Sequence, residues 1–381
     1  MAESATHLVL FFTWDVSLAI WKEKGLLERE IKLYQELANH GVNVTFLSWG
    51  GKEDEEIAKT LSPKITTISI YNHIPRPKNK VLRAFCSLLI PWTLRKKLKE
   101  ADLYKTNQMW GSWTAVFSSL FFRKPLIARC GFELYDFTVK QGHGWARKNF
   151  VWLISRITYG ISKRICVATQ EDKNFVVQTF GQKEEKISLH PNWIDTGVFA
   201  PQKLERKDKH ILFVGRLSKQ KNLETLLDAL KDSNFTLDII GQGELEEALK
   251  QQAKENNVVV QFLGSLPNDQ LPTAYNSYPV FILPSHYEGN PKTLLEAMAC
   301  GAAVIGTNVP GIASVIQHEK TGLLCESNAQ SIREAIEHLI TNDNLRNRLG
   351  QGAQEQIIAT QTLDKLIDKE LACYNSIKDK A

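Results

Sequence analysis

The chain reads as an α/β protein built from two doubly wound domains that face each other across a cleft. Three observations predict this. Short apolar runs alternate with segments of helical periodicity. The alternation runs twice, with a polar, charged stretch at 201–210 between the two series. The length, 381 residues, exceeds one ordinary core and suits two. Strand–helix alternation gives parallel sheets covered by helices, and ligands of such sheets bind at the carboxyl ends of the strands.

The elements follow in order. Leu8-Val-Leu-Phe-Phe is the first strand, followed by a loop at 13–27. Ile31, Tyr34, Leu37 and Ala38 fall on one face of a helix at 28–40, which Gly41 ends. Further strands are expected at 42–47, 65–70, 103–109, 126–130, 165–169 and 187–189. The second series places strands at 211–214, 236–240, 258–263, 280–283, 303–306 and 322–325. Its helices are expected at 223–231, 244–256, 269–276, 292–300, 312–318 and 331–340, and 342–381 is helical in pattern throughout.

Composition fits a globular chain, with 43% hydrophobic and 23% charged residues. Six cysteines are scattered without metal-ligand spacing, which predicts free thiols in a reducing compartment. No basic-then-apolar leader pattern is visible, and no run approaches the ~20 apolar residues that span a bilayer. The net charge of +5 conceals an asymmetry. Residues 76–164 hold 18 Lys and Arg against 4 Asp and Glu, an excess of 14, so the remainder carries −9. Such polarisation predicts an anionic partner for the first half. The acidic run 53–56 reads as a solvated stretch of a polar loop.

The stretch Ser285-His-Tyr-Glu-Gly-Asn-Pro-Lys-Thr-Leu-Leu-Glu-Ala-Met-Ala-Cys-Gly carries the most information. It follows the apolar strand Val280-Phe-Ile-Leu. Asn290 suits an N-cap and Pro291 the first helical position. Glu288 and Glu296 then flank a helix N-terminus, whose free N–H groups and dipole favour anions. Two carboxylates beside an anion site need other partners, and sugar hydroxyls suit them. By spacing alone, a turn and a helix with one exposed Glu is the better account of the stretch.

Glu288 and Glu296, with Glu-Gly-x-Pro and Glu-Ala-Met-Ala-Cys-Gly around them, resemble the signature of the family 4 glycosyltransferases, which have the two-domain GT-B fold. The resemblance implies that Glu288 contacts a donor sugar and Glu296 holds ribose hydroxyls, with Asn290, Pro291, Lys292 and Thr293 also at the donor. Asn290 departs from the family, which usually has Phe or another apolar residue there. Family likeness also implies that the last helix returns to the first domain. Domains are therefore expected at 1–200 with 365–381, and at 201–364. His190-Pro-Asn-Trp-Ile-Asp resembles the family's crossing segment.

Val214-Gly-Arg-Leu-Ser-Lys-Gln-Lys begins where a strand ends. Gly215 permits a tight turn, Arg216 can grip a phosphate with two bonds, and Lys221 supplies a compact charge. The pair resembles the family's diphosphate clamp; a solvated basic loop is the plainer account. Gly241 and Gly243 follow a strand and open a helix, and Gly264 lies in a Leu-Gly loop; in the family these loops approach the nucleotide. No Asp-x-Asp pair occurs, so the resemblance implies no metal and no cofactor beyond the nucleotide-diphosphate sugar itself. Ser285 and Tyr287 are further candidates for the same lining, or ordinary loop packing.

On the acceptor side, Asp15 sits just past the first strand, where it can bind a hydroxyl or simply form a turn. Cys130 occupies the place where many relatives carry a His, which leaves Arg129, Glu133 and Asp136 as polar candidates. The segments 76–99 and 145–164 mix cations with aromatic and aliphatic residues. This suits an anionic bilayer surface or, as the plainer account, helices with solvated charges; nucleic acid is not expected. The expectation is a retaining, metal-independent sugar transferase on a lipid-linked acceptor, cytoplasmic and peripheral on the inner membrane face. The rival readings are a basic membrane- or nucleic-acid-binding protein on the same scaffold, and a nucleotide-sugar epimerase or hydrolase.

Overall fold

The computed structural model describes residues 5–378, which form two units. Unit 1 comprises residues up to His190 together with those from Ile367 onward, and unit 2 is Pro191–Leu366. The boundaries thus fall at 190/191 and 366/367, beside the expected 200/201 and 364/365.

Unit 1 contains seven strands: β1 (His7–Phe11), β2 (Asn43–Ser48), β3 (Ile65–Ser69), β4 (Leu103–Thr106), β5 (Leu126–Cys130), β6 (Arg164–Val167) and β7 (Ile187–Leu189). They form one parallel sheet in the order β3-β2-β1-β4-β5-β6-β7. Unit 2 contains β8 (His210–Val214), β9 (Thr236–Ile240), β10 (Val259–Phe262), β11 (Val280–Leu283), β12 (Ala303–Thr307) and β13 (Leu323–Cys325). Its parallel order is β10-β9-β8-β11-β12-β13. Both orders reverse direction once, between β1 and β4 and between β8 and β11. Loops leaving the two strands at such a reversal diverge and leave a crevice at the carboxyl end of the sheet.

The central strands are buried on both faces and are apolar at almost every position: all four residues of β11 and all five of β12 are buried. That continuity is why the strands were readable from apolar runs.

The expected loop at 13–27 contains the helix Leu18–Glu23, whose start is capped by Ser17 and also held by a residue distant in sequence. Both oxygens of the Asp54 carboxylate accept backbone N–H groups, from Leu18 at 3.0 Å and Ala19 at 3.0 Å. The acidic run is accordingly no loop. It lies in the helix Lys52–Ala58, and Asp54 is fully buried, its carboxylate bonded to the first turn of another helix whose N-cap is Ser17. The helical pattern expected at 342–381 is, as far as Lys378, two helices, Asp343–Thr360 and Leu363–Lys378, interrupted at Gln361 and Thr362; 379–381 lie outside the described residues. There Ile194 donates its N–H to the Gln361 carbonyl at 2.8 Å, tying the crossing segment to that break.

Candidate functional site

In unit 2 the crevice beside β8 and β11 is built by two loops tied to each other. The Asn222 backbone is left-handed (φ 54°), its Nδ2 donates to the Pro284 carbonyl at 3.1 Å, and its Oδ1 accepts from Thr225 at 2.6 Å. Gln220 accepts the His286 N–H at 2.9 Å, and its Nε2 donates to the Tyr287 carbonyl at 2.9 Å. These bonds fix Lys221 against the loop after β11. Its Nζ donates to Glu288 Oε1 at 2.5 Å, and Ser285 Oγ donates to the same oxygen at 2.6 Å. The two side chains are only 15% and 8% exposed, so the pair is shielded from solvent screening. Arg216, in the same loop as Lys221, is exposed.

Glycines let these loops stack. Gly241 has φ +142°, and a Cβ there would lie 1.8 Å from the Gly215 carbonyl oxygen. The Gly241 N–H in turn donates to the Gly264 carbonyl at 2.7 Å, and Gly243 packs on the Leu217 backbone. The close approach that demands glycine here is loop against loop within the chain. Gly311 plays the same part under Glu288: a Cβ would lie 2.2 Å from both the Glu288 and Gly289 carbonyl oxygens.

Glu296 is 2% exposed on the helix Lys292–Ala299, and the Tyr275 hydroxyl donates to its Oε2 at 3.0 Å. Asn290 is not the N-cap of that helix. Pro291 is, with ψ 110°, because its carbonyl accepts the first helical bond, from Leu295. Asn290 instead braces the crossing segment: its Oδ1 accepts the Asn192 N–H at 2.8 Å, and its carbonyl accepts Asn192 Nδ2 at 2.6 Å. Lys292 and Thr293 form the first turn, half-buried. The structure therefore brings Lys221, Glu288 and Ser285 into one cluster. The positioning residues Gln220, Asn222 and Gly311 were missed. Only their place, just past a strand end, signalled them.

Unit 1 has a different crevice between β1 and β4. Asp15 is left-handed (φ 58°), and both carboxylate oxygens are engaged: Oδ1 by the Tyr71 hydroxyl at 2.6 Å and Oδ2 by Arg83 at 2.6 Å. Arg129 donates to the Asn107 carbonyl at 3.0 Å. Glu133 is fully buried and caps the helix Leu134–Lys140, accepting from the Asp136 N–H and from the Tyr159 hydroxyl at 3.1 Å. Burial pushes its carboxyl up to about 7, against hydrogen bonds that act the other way. Asp136 pairs with Lys140 one helical turn on. Three tryptophans missed by sequence reading gather at this crevice. The Trp14 ring lies 6.1 Å from Trp110 and 5.5 Å from Trp113, and Trp110 and Trp113 are 5.9 Å apart. The buried Trp14 Nε1 has no hydrogen-bond partner among the described residues. Trp14 and Trp110 lie in the loops just past the carboxyl ends of β1 and β4, the signal that could have found them, and Trp113 lies in the first turn of the helix Ser112–Phe122 that follows.

Two Rossmann-like units, one of them with a lysine–glutamate cluster at its switch point, define the GT-B class of fold. The sucrose-phosphate synthase of Thermosynechococcus elongatus superposes on 99% of this chain and 100% of its own, with a TM-score of 0.81 at 17% identity, a likeness of fold. The family model for Glycosyltransferase Family 4 matches residues 31–198, and that for Glycosyl transferases group 1 matches 198–356. Together the two models span residues 31–356, and the chain is a glycosyltransferase of the kind that they describe. An uncharacterized glycosyltransferase of Methanocaldococcus jannaschii is 34% identical over 146 residues, 38% of this chain and 42% of that one. The Escherichia coli UDP-Gal:alpha-D-GlcNAc-diphosphoundecaprenol alpha-1,3-galactosyltransferase is 29% identical over 241 residues, 58% of this chain and 62% of that one. The chain thus spans less than two thirds of the length of these two relatives.

Proposed function

We propose that this protein is a retaining glycosyltransferase that moves a sugar from a nucleotide-diphosphate sugar to a hydroxyl of a lipid-linked glycan. The reading rests chiefly on one observation, the Lys221–Glu288 pair held between the loops after β8 and β11. Negative charge grows on the diphosphate as the glycosidic bond breaks, and cations already in place stabilise that charge without reorganisation. Arg216 and Lys221 supply them, so the diphosphate needs no metal and no further cofactor. As Lys221 turns to the phosphate, Glu288 is left to accept hydrogen bonds from the sugar, with Ser285 still orienting it. Glu296 is assigned the ribose. Retention means that the acceptor hydroxyl attacks the anomeric carbon on the face the diphosphate leaves.

A lipid-linked acceptor is supported by the name of the E. coli relative and by the surface of unit 1. No helix among the described residues is long and apolar enough to cross a membrane. Yet Phe85, Leu89, Trp92, Phe121, Trp145 and Phe150 are exposed, as are Arg95, Lys96, Lys97 and Lys99. Ile90, from the same stretch, belongs to the core. An apolar and cationic surface of this kind adheres to anionic lipid, each cation contributing about 1 kcal/mol. This surface supports peripheral attachment to the cytoplasmic leaflet as part of the proposed function.

The test is a panel of nucleotide sugars incubated with polyprenyl-diphosphate-linked acceptors, read by release of the nucleoside diphosphate. Transfer with one donor and inversion-free product stereochemistry support the reading. Hydrolysis or epimerisation of the donor without an acceptor overturns it. Sedimentation with vesicles tests the surface: binding should require anionic lipid and fall with salt.

A further inference from the structure

We infer that unit 1 holds a Zn2+ ion on Cys166, His190 and Cys373. The three come from separate places in the sequence: β6, the residue following β7, and the helix Leu363–Lys378. Their ligand atoms all lie within 4.8 Å of one another. All three are buried, at 0%, 4% and 7% exposure. Zinc binds sulfur at about 2.3 Å and imidazole nitrogen at about 2.0–2.1 Å, which sets tetrahedral donors roughly 3.5–3.8 Å apart. The observed spread reaches that spacing with a shift of about an ångström, within rotamer adjustment.

The surroundings are those of a ligand set. His190 Nδ1 lies 3.2 Å from Glu370 Oε1, and Glu370 Oε2 accepts from Lys105 Nζ at 2.5 Å. A carboxylate that takes the Nδ1 proton fixes the tautomer and leaves Nε2 with its lone pair for a metal. Ser188 Oγ, 3.6 Å from Cys166 Sγ, or a water completes the tetrahedron. Two thiols and an imidazole select soft ions, Zn2+ or Cu+. Charge decides between them. Lys105 and Glu370 offset each other, and two thiolates, each having given its proton to solvent, cancel a divalent ion. Cu+ would leave a net negative charge in a fully buried place, which is costly.

The ion would act structurally. His190 is the last residue of unit 1 before the chain passes to unit 2, and Cys373 lies on the segment that returns. Bound together on β6, they fasten both crossings to the sheet of unit 1. Sequence spacing concealed the set, because its members are far apart along the chain.

The test unfolds the full chain in denaturant with chelator and reductant, then refolds it with and without Zn2+. Metal is measured after desalting. The inference predicts roughly one zinc per chain and a higher Tm for the zinc-refolded protein. Cys166→Ser and Cys373→Ser should lose the zinc, while Cys325→Ser, a buried cysteine of unit 2, should keep it. Should the cluster variants fail to fold, Co2+ in the unaltered chain gives a separate readout, a thiolate-to-cobalt charge-transfer band. A chain that retains no zinc after refolding in its presence, shows the same Tm with and without it, takes up only Cu+, or is isolated with Cys166 and Cys373 joined as a disulfide overturns the inference.

Discussion

At the switch point of unit 2, a lysine, a glutamate and a serine meet within hydrogen-bond distance. At that of unit 1, three tryptophan rings pack within 6.1 Å of each other, and the nearby Asp15 is already engaged by Tyr71 and Arg83. The two sheets reverse in the same way, so topology supplies two similar crevices. Loop residues alone make one charged and the other aromatic. A diphosphate needs concentrated cations, whereas a sugar face or a lipid-linked chain stacks on flat apolar rings. The proposed function draws on this contrast, with the donor on unit 2 and the acceptor on unit 1.

The strongest way to break this assignment is Lys221→Ala. A charge-assisted contact is worth about 1.5–3 kcal/mol, so turnover should fall about 10–150-fold. Glu288 is also left largely buried without its cation, so Tm should drop as well. Arg216→Ala should cost similar turnover at unchanged Tm, since Arg216 is exposed. Wild-type turnover in both variants would move the diphosphate elsewhere.

Within unit 2 the two glutamates should separate. Glu288→Gln should impair transfer and spare binding of the free nucleoside diphosphate. Glu296→Gln should weaken that binding, as calorimetry would show. Equal weakening by both would contradict their roles.

In unit 1, Trp110→Ala should raise the acceptor KM about 2–13-fold, from an aromatic contact of about 0.5–1.5 kcal/mol, and leave donor KM unchanged. A change in donor KM alone would erase the contrast.

A further effect, on stability alone, concerns Glu133, whose carboxyl is pushed up to about 7 by burial. A raised folded-state value gives stability that is full below the unfolded value near 4.5 and is lost as pH rises through 7. The Tm of the wild type relative to Glu133→Gln should therefore rise as pH falls from 8 to 5. A flat difference would mean that Glu133 stays charged.

The strands were legible because burial on both faces makes them continuous apolar runs; β5, β7, β9 and β11 fall where the sequence placed them. The helix Leu18–Glu23 was not: Ser17 is its N-cap, but the carboxylate that accepts its first two N–H groups is Asp54, and nothing local announces a partner so distant. The same reason hid the roles of Asn222 and Asn290, whose side chains bond across loops. In the site, Lys221 and Glu288 were legible through a motif, while their direct contact was not. The motif fixes residue types, and only the fold fixes which loops meet.

Calorimetric titration of UDP and GDP into the unaltered chain, Lys221→Ala and Trp110→Ala tests the division most directly. The account predicts that one nucleotide binds the unaltered chain and Trp110→Ala alike, and binds Lys221→Ala at least about tenfold more weakly. Equal binding by Lys221→Ala, or weakening by Trp110→Ala alone, would contradict it.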